Sequence, residues 1–200
     1  QLRIGYQKEW FLEDLHKWIE GNVDETMETL SKAGITLVEV TGMPAASCHQ
    51  NIYTAAFSEL PGNVARYFDR HRVYDMSSFG LYHEFNVDSF KKMWLKGLDD
   101  TVTGEDYFPV VVQILEDRKT YNRIMTENDI DAFMYPTTKI PNTPNDSPEV
   151  MAHVGPLGEM LEESRFGDNM LFSPALRTPS ISMFSGQDDR GLPLSVTFDV

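Results

Sequence analysis

The sequence predicts an α/β fold in which a mixed sheet is flanked by helices, and two patterns support this prediction. Near the N-terminus, a strand, a helix, a tight turn and a second strand follow one another, which is typical of a βαβ unit with parallel strands. Near the C-terminus, two strand-like segments flank a turn and predict a hairpin. The 200 residues have the length of one domain, so we interpret 1–200 as a single domain.

The βαβ unit is built from three segments. Residues 2–6 alternate apolar and polar side chains and predict a short strand. Apolar residues recur at three- and four-residue steps over 14–33, which predicts an amphipathic helix with Gly34 as its C-cap. Residues 35–40 are rich in β-branched side chains and predict the second strand.

The middle of the chain predicts three helices that would flank the sheet. Residues 50–70 have helical spacing, with a kink or break at Pro61-Gly62. Residues 89–98 predict a short helix, and Asp106 can cap a long helix that extends to about residue 125.

Three more strands are predicted in the second half of the chain. An all-apolar run over 132–135, ended by Pro136, is typical of a strand buried on both faces. Residues 180–184 and 193–200 are the two strands of the predicted hairpin. Between the 132–135 strand and this hairpin, residues 136–165 contain many prolines and few periodic apolar positions, which predicts a Pro-rich irregular loop.

The composition argues against several classes of partner. Seventeen basic and 31 acidic residues give a formal net charge of -14, which would repel a polyphosphate, so we expect no nucleic-acid partner. No run approaches the ~18 apolar residues that a membrane span requires, so we expect no membrane segment. The single Cys48 excludes a disulfide framework and favours a reducing, cytoplasmic setting.

The two ends of the sequence suggest a truncated chain. The first residue is Gln1 rather than Met, and no signal peptide is visible before the first predicted strand. The sequence also stops within the last predicted strand, at Val200. We therefore expect these residues to be a piece of a longer protein.

Few residues suggest catalysis by themselves. His83-Glu84 begins like a metalloprotease helix, but Val87 stands where the second His would be, so we expect no metal site. Cys48 and His49 are neighbours on the chain and would point apart, which favours an unreactive, buried Cys48. No phosphate loop, dinucleotide motif or Gly-x-Ser-x-Gly elbow occurs, so we expect no cofactor.

Three groups of segments nevertheless carry a resemblance to a known family. They are the strand–helix–strand of residues 2–40, Arg118 and Tyr121 with Asp131-Ala132-Phe133-Met134-Tyr135-Pro136-Thr137, and Thr178-Pro179-Ser180-Ile181-Ser182 with Gly191-Leu192-Pro193-Leu194-Ser195-Val196. In this order and spacing they resemble the C-terminal part of an amidase signature hydrolase. The aromatic-rich middle is most similar to bacterial mandelamide or indoleacetamide hydrolases.

The resemblance implies both a fold and an activity. The fold would be the C-terminal part of the family's α/β/α architecture, and the complete protein would hydrolyse a small, aryl-containing carboxamide to acid and ammonia. Family members use a Lys, a cis-bonded Ser and a nucleophilic Ser in a Gly-Ser-rich stretch that precedes all the matched segments. The only Ser-Ser pair here, Ser77-Ser78, follows no glycine loop. We therefore expect the catalytic residues upstream of Gln1, and no activity from this chain alone.

The resemblance implies that this chain contributes part of the wall of the substrate cavity. Thr137 and Thr138 follow the predicted buried strand, and α/β sheets usually bind ligands at that end of a strand. The candidate apolar contacts, for which core packing is the alternative, are Met170, Leu171, Phe172 and Phe184.

The sequence also departs from the family pattern near this cavity. The family usually has Pro at the position of Phe184, Gly at that of Arg177 and Asn near Ser173-Pro174. Because these positions touch the cavity wall, the family's substrate preferences do not carry over directly.

Two other functions remain open. The chain could be a catalytically dead binding or assembly module, in which an exposed edge at 196–200 pairs with another chain or forms a homodimer. It could also be an unrelated α/β domain that binds a small ligand.

Overall fold

The computed structural model describes residues 1–70, 104–141 and 168–200. These residues form a five-stranded sheet with the strand order β2-β1-β3-β5-β4. The strands are β1 (Arg3–Tyr6), β2 (Thr36–Glu39), β3 (Ala132–Pro136), β4 (Ser180–Gln187) and β5 (Pro193–Asp199). β1 is parallel to β2 and β3, whereas β5 is antiparallel to both β3 and β4. The predicted mixed sheet is therefore confirmed.

Helices cover both faces of this sheet and produce an α/β/α arrangement. They are α1 (Lys17–Lys32), α2 (Ala45–Arg70), α3 (Gly104–Glu127) and α4 (Phe172–Leu176), with a 3-10 turn over Asn169–Leu171 before α4. On one face, Met27 and Leu30 of α1 pack against Ile4 and Met134 of the sheet. On the other face, residues of α2, α3 and α4 enclose the rings of β3. No helix in the described ranges is long and apolar enough to cross a membrane.

The predicted βαβ unit is confirmed, with one correction at the start of its helix. α1 begins at Lys17 rather than near residue 14, because Asp14 has a φ of 54° and so lies outside the helical region. His16 is the N-cap, and its Nδ1 accepts a hydrogen bond from the backbone N–H of Trp18 at 3.3 Å. After the helix, Gly34 has a φ of 84°, the left-handed conformation that glycine adopts most readily.

Of the two alternatives at Pro61-Gly62, the break is wrong, because α2 continues through both residues, and the kink stays a prediction. A proline inside a helix removes one backbone hydrogen bond. The helix is 26 residues long and packs along α3, with Glu59 bonded to the Tyr107 hydroxyl two residues before Pro61. Tertiary packing thus outweighs the local preference of these two residues.

The C-terminal strands confirm the hairpin and correct the predicted edge. β5 lies between β3 and β4, so 196–199 pair on both sides and are not an exposed edge. Among the strands that the structure describes, the outermost are β2 and β4. β3 is buried along its whole length, as its apolar run predicts.

Some predictions fall outside the described residues. These are the helix over 89–98, the pairs Ser77-Ser78 and His83-Glu84, and most of the Pro-rich loop over 136–165.

Candidate functional site

A cavity of about 320 Å³ lies beside the carboxyl end of β3. Its lining includes Thr138 and Pro141 after β3, Ser182 and Phe184 of β4, and Leu194 and Ser195 of β5. β4 runs in the same direction as β3, because β5 is antiparallel to both. The cavity therefore occupies the end of the sheet at which α/β folds usually bind ligands.

A row of three hydroxyl groups crosses the sheet next to this cavity. The Thr197 Oγ1 atom lies 2.9 Å from Thr137 Oγ1 and 2.8 Å from Ser182 Oγ. The Thr137 N–H donates to the Ser195 carbonyl oxygen at 3.1 Å, which ties the segment after β3 to β5. Three hydroxyl protons serve two contacts in the row, so one proton remains for another acceptor.

Part of the cavity lining is apolar and open to solvent. The Phe184 side chain is 67% exposed and that of Met183 is 50% exposed, whereas Leu194 is buried. Apolar walls beside a few oriented polar groups are typical of small-molecule sites. Among the described residues, the lining carries no charged side chain, so this arrangement can bind and orient an uncharged molecule but offers no general base.

The structure brings together some of the predicted site residues and separates others. Thr138 and Phe184 line the same cavity, and Thr137 belongs to the adjacent hydroxyl row. The remaining candidates, Met170, Leu171 and Phe172, lie outside this lining, on the 3-10 turn and at the start of α4. Substrate contact by these three residues stays a prediction.

Phe172 lies in the core of the α2–α3–α4 face. Its side chain is 1% exposed and makes edge-to-face contacts with Phe11, at 4.9 Å between ring centroids, and with Tyr135, at 5.9 Å. Phe172 therefore packs in the core, which is the alternative to substrate contact that the sequence raised. Met170, in contrast, is exposed.

Sequence reasoning missed Ser182, Thr197, Leu194 and Ser195. A signal for them existed in the predicted hairpin, because directly opposite residues share a face of the sheet. The register pairs Ser182 with Thr197 and Phe184 with Ser195, and the hydroxyl row follows from that pairing. The register could not be read from the sequence, since it depends on a turn with a bulge at 184–186.

A fully buried lysine joins the loops that surround the carboxyl ends of β1 and β3. The Lys139 ammonium donates to the carbonyl oxygens of Trp10 and Glu13, the latter at 3.2 Å. It also lies 3.9 Å from the Asp168 carboxylate, which in turn lies 3.4 Å from His49 Nε2. Trp10 has a φ of 70°, so the lysine holds a loop with strained backbone next to the segment that carries Thr137 and Thr138.

A second polar cluster is buried on the α2–α3–α4 face. The Ser173 hydroxyl donates to Asp199 at 2.7 Å, the Tyr135 hydroxyl lies 3.2 Å from both Asp199 oxygens, and the two hydroxyls also contact each other. These three contacts need three protons, and the two hydroxyls supply only two. A protonated Asp199 would complete the ring. Burial raises the pKa of Asp199 to about 6, although the hydrogen bonds from Ser173 and Tyr135 act to lower it.

Cys48 is inert in this structure, as its sequence context suggests. The thiol is buried and its pKa is raised by that burial and by the Asp117 carboxylate, so it is protonated at neutral pH. Cys48 Sγ faces Asp117, whereas His49 faces Asp168, which confirms that the two neighbours point to different partners. Across the described ranges, no group of His, Cys, Asp or Glu could hold a metal ion.

Comparisons with known proteins identify what the fold resembles. A family model described as Amidase matches residues 1–199. Among solved structures, an amidase aligns with 99% of this chain at 15% identity and a TM-score of 0.74, and 41% of that amidase is covered. A 6-aminohexanoate cyclic dimer hydrolase aligns with the whole chain at 16% identity and a TM-score of 0.74, again with 41% covered.

A third structure, the peptide amidase from Stenotrophomonas maltophilia, aligns at 18% identity and a TM-score of 0.68, with 99% of this chain and 39% of that chain covered. The chain thus spans about two-fifths of the length of these structures. No curated protein sequence matches the chain.

Proposed function

Because this chain belongs to the amidase family, we propose that the complete protein hydrolyses the C–N bond of a small, aryl-containing carboxamide and releases an acid and ammonia. In this proposal, the 200 residues form part of the wall of the substrate cavity. The nucleophile and its base belong to the part of the amidase fold that has no counterpart in these residues.

The observation that supports the proposal is the cavity beside β3. Its volume of about 320 Å³ is at the lower end of the range of small-molecule sites. Phe184 and Met183 offer apolar surface to an aromatic ring, and the same lining carries the Thr138 and Ser182 hydroxyls. An aryl carboxamide likewise combines an apolar ring with an uncharged polar group.

The proposed chemistry is that of a Ser–cis-Ser–Lys hydrolase. The lysine accepts a proton from the bridging serine, which in turn accepts the proton of the nucleophilic serine. The nucleophile attacks the amide carbon, and backbone N–H groups stabilise the oxyanion. The amide nitrogen then takes up the relayed proton and departs as ammonia, which leaves an acyl-enzyme. Water then attacks the acyl-enzyme and releases the acid. No residue of this chain is assigned to these steps.

The residues of this chain are instead assigned to binding. Thr137 and Thr138 provide polar contacts at the carboxyl end of β3, and Phe184 packs against the aryl group. Met170, Leu171 and Phe172 form or support the wall farther along the same face. In its narrower form, the proposal is that the protein prefers mandelamide-like or indoleacetamide-like substrates. Phe184, which stands where the family usually has Pro, is the residue most able to change this substrate preference.

The test is a kinetic comparison of Phe184→Ala with Phe108→Ala in the full product of the gene that encodes these residues. The two side chains are matched controls, because they are 67% and 66% exposed and only Phe184 lines the cavity. We expect Phe184→Ala to raise KM for an aryl carboxamide about 10-fold, since losing aromatic contact costs about 1–2 kcal/mol. The KM of Phe184→Ala for acetamide should change less than twofold. The KM values of Phe108→Ala for the aryl carboxamide and for acetamide should also change less than twofold.

Equal effects of the two substitutions, or equal effects on aryl and aliphatic amides, would contradict the assignment of Phe184. The location of the nucleophile has its own test. The purified 200-residue chain should release no ammonia from any amide. If it does release ammonia, and a serine-directed reagent blocks that activity, the nucleophile lies within these residues and its proposed location is wrong. A full gene product that is folded yet inactive on a broad amide panel would favour the catalytically dead module instead.

A further inference from the structure

A second, smaller cavity lies between α2, α3 and the end of α4. Its volume is about 50 Å³, and its described lining shares no residue with the cavity beside β3. The charged side chains in this lining are Glu59 of α2, Arg118 of α3 and Arg177 after α4. The apolar side chains that line it are Ala55, Val111, Ile114 and Leu115. We call this cavity the arginine cleft.

The two arginines of the cleft differ from the other cationic side chains that the structure describes. Neither guanidinium makes a hydrogen bond or an ion pair. Each of the other described lysine and arginine side chains contacts a carboxylate, a carbonyl or amide oxygen, or an aromatic ring, as Arg123 does with Glu127 at 2.9 Å. Since the chain has 31 acidic and only 17 basic residues, the meeting of these two cations at one cavity requires an explanation.

Glu59 does not neutralise the two cations. The Tyr107 hydroxyl donates to the Glu59 carboxylate at 2.5 Å, and no ion pair joins this carboxylate to Arg118 or Arg177. One carboxylate and two guanidinium groups leave the lining with a net positive charge. A monoanion would balance this charge, whereas a dianion would place an excess of negative charge beside Glu59.

The backbone at Arg177 is a further sign that the guanidinium has a function. Arg177 has a φ of 55° and a ψ of 38°, in the left-handed region that is unfavourable for a residue with a side chain. Strained conformations of this kind cluster at ligand-binding sites, where they orient a group that the site uses. The end of α4 thus presents one guanidinium to a cleft that receives the other from α3.

The volume of the cleft limits the size of a ligand. A cavity needs about 10–15 Å³ to hold one water molecule, so about 50 Å³ accommodates only a few groups of that size. A small monocarboxylate such as acetate fits this volume. Its methyl group matches the apolar part of the lining, and its two oxygens match the planar fork of an arginine.

We propose that the arginine cleft binds the carboxylate group of a small monocarboxylic acid of about the size of acetate. The guanidinium groups of Arg118 and Arg177 donate to the carboxylate oxygens, and the hydrocarbon part of the ligand packs against Ile114 and Leu115. The bound ligand joins α3 to the end of α4. This site goes beyond the proposed function, because it lies outside the substrate cavity and takes part in no step of amide hydrolysis.

The test is saturation-transfer NMR on the acetate methyl group, with the full gene product at constant ionic strength. We expect a Kd in the millimolar range, because so small a ligand makes few contacts. Arg118→Gln and Arg177→Gln should each raise this Kd at least about 10-fold, since each removes hydrogen bonds to a charged group. Arg123→Gln removes the same charge from α3 outside the cleft and should change the Kd less than twofold.

Three results would overturn the proposal. The first is the absence of saturation transfer in the parent protein, which would also follow if an acidic side chain from the rest of the gene product fills the cleft. The second is a Kd that neither glutamine variant changes. The third is displacement of acetate by equimolar inorganic phosphate, which would indicate a general anion site. Because Arg177 is exposed, Arg177→Gln remains informative if Arg118→Gln is poorly folded.

The substrate cavity requires its own control, because a carboxylic acid is the product of the proposed reaction. Phe184→Ala alters that cavity and leaves the arginine cleft unchanged, so it should change the acetate Kd less than twofold. A Kd that responds to Phe184→Ala and not to the arginine variants would assign the acetate to the substrate cavity and refute the proposal. Amide hydrolysis is measured on the same samples, so the proposed function and the acetate site can fail separately.

Discussion

Asp199 shows how a single buried side chain makes stability depend on pH. Its carboxyl group is fully buried beside Tyr135 and Ser173. Burial raises its pKa to about 6, whereas an unfolded chain has an aspartate pKa of about 3.9. Between these values the folded protein binds more protons than the unfolded chain, so the free energy of unfolding decreases as the pH rises through this window.

The first prediction therefore concerns Asp199→Asn. Because the amide cannot ionise, the variant should gain about 2–3 kcal/mol in the free energy of unfolding, relative to the parent protein, between pH 4 and pH 7. Urea denaturation at several pH values measures this difference. Asp24→Asn, at an exposed position of α1, is the control and should show no comparable gain. A constant difference between Asp199→Asn and the parent across the range would refute the shifted pKa.

The second prediction concerns Lys139, the buried lysine of the loop after β3. Lys139→Met removes the donor to the carbonyl oxygens of Trp10 and Glu13 and the cation near Asp168. Breaking a buried ion pair from one side should lower the free energy of unfolding by about 3–5 kcal/mol.

A matched control exists for this substitution. Lys119→Met removes an exposed ammonium that lies 2.6 Å from Glu116, and such surface pairs contribute about 0–1 kcal/mol. Chemical denaturation compares the two variants. Adding Asp168→Asn to Lys139→Met should restore part of the loss, because it removes the buried carboxylate that lies beside the lost ammonium. Similar effects of Lys139→Met and Lys119→Met would show that the buried cluster contributes little.

Among the secondary-structure elements, α4 ends at a residue that is poorly suited to its backbone conformation. Arg177 follows the helix with a φ of 55° and a ψ of 38°, and its N–H donates to the Pro174 carbonyl oxygen at 3.3 Å. The left-handed conformation costs a residue with a side chain about 1–2 kcal/mol. Glycine at this position avoids that cost.

The third prediction follows from this helix end. Arg177→Gly should be more stable than Arg177→Ala by about 1 kcal/mol, because both variants lose the guanidinium and only glycine relieves the backbone strain. The gain is limited by the greater freedom of glycine in the unfolded chain. Urea denaturation midpoints measure the difference. An alanine variant as stable as the glycine variant would mean that the helix end relaxes without strain.

The elements also show where local patterns are reliable. The helix α1, the buried strand β3 and the β4–β5 hairpin could be predicted because apolar spacing and turn residues act within a few positions of the chain. The start of α1 could not be predicted, because the φ of Asp14 depends on a loop held by Lys139. The continuity of α2 could not be predicted either, because this helix packs along α3.

On the scale of the whole molecule, the net charge of -14 opposes the compact state through self-repulsion. The fourth prediction is that raising NaCl from 0.01 to 0.15 M at pH 7 increases the Tm by about 2–4 °C, because the Debye length falls from about 30 to 8 Å. The same change near pH 4.6, the isoelectric point, should have little effect. A rise of equal size at both pH values would point to a general effect of salt instead of charge screening.

The sequence by itself determined the α/β class, the order of the elements, the parallel βαβ unit and the family pattern. These properties depend on residues close together in the chain or on motifs read in order. Only the tertiary structure decided that β5 is an interior strand, because it is inserted between β3 and β4. It also decided that Thr138 and Phe184 share a cavity, that Lys139 is buried and that Phe172 packs in the core. Each of these depends on contacts between distant segments, and local periodicity carries no information about them.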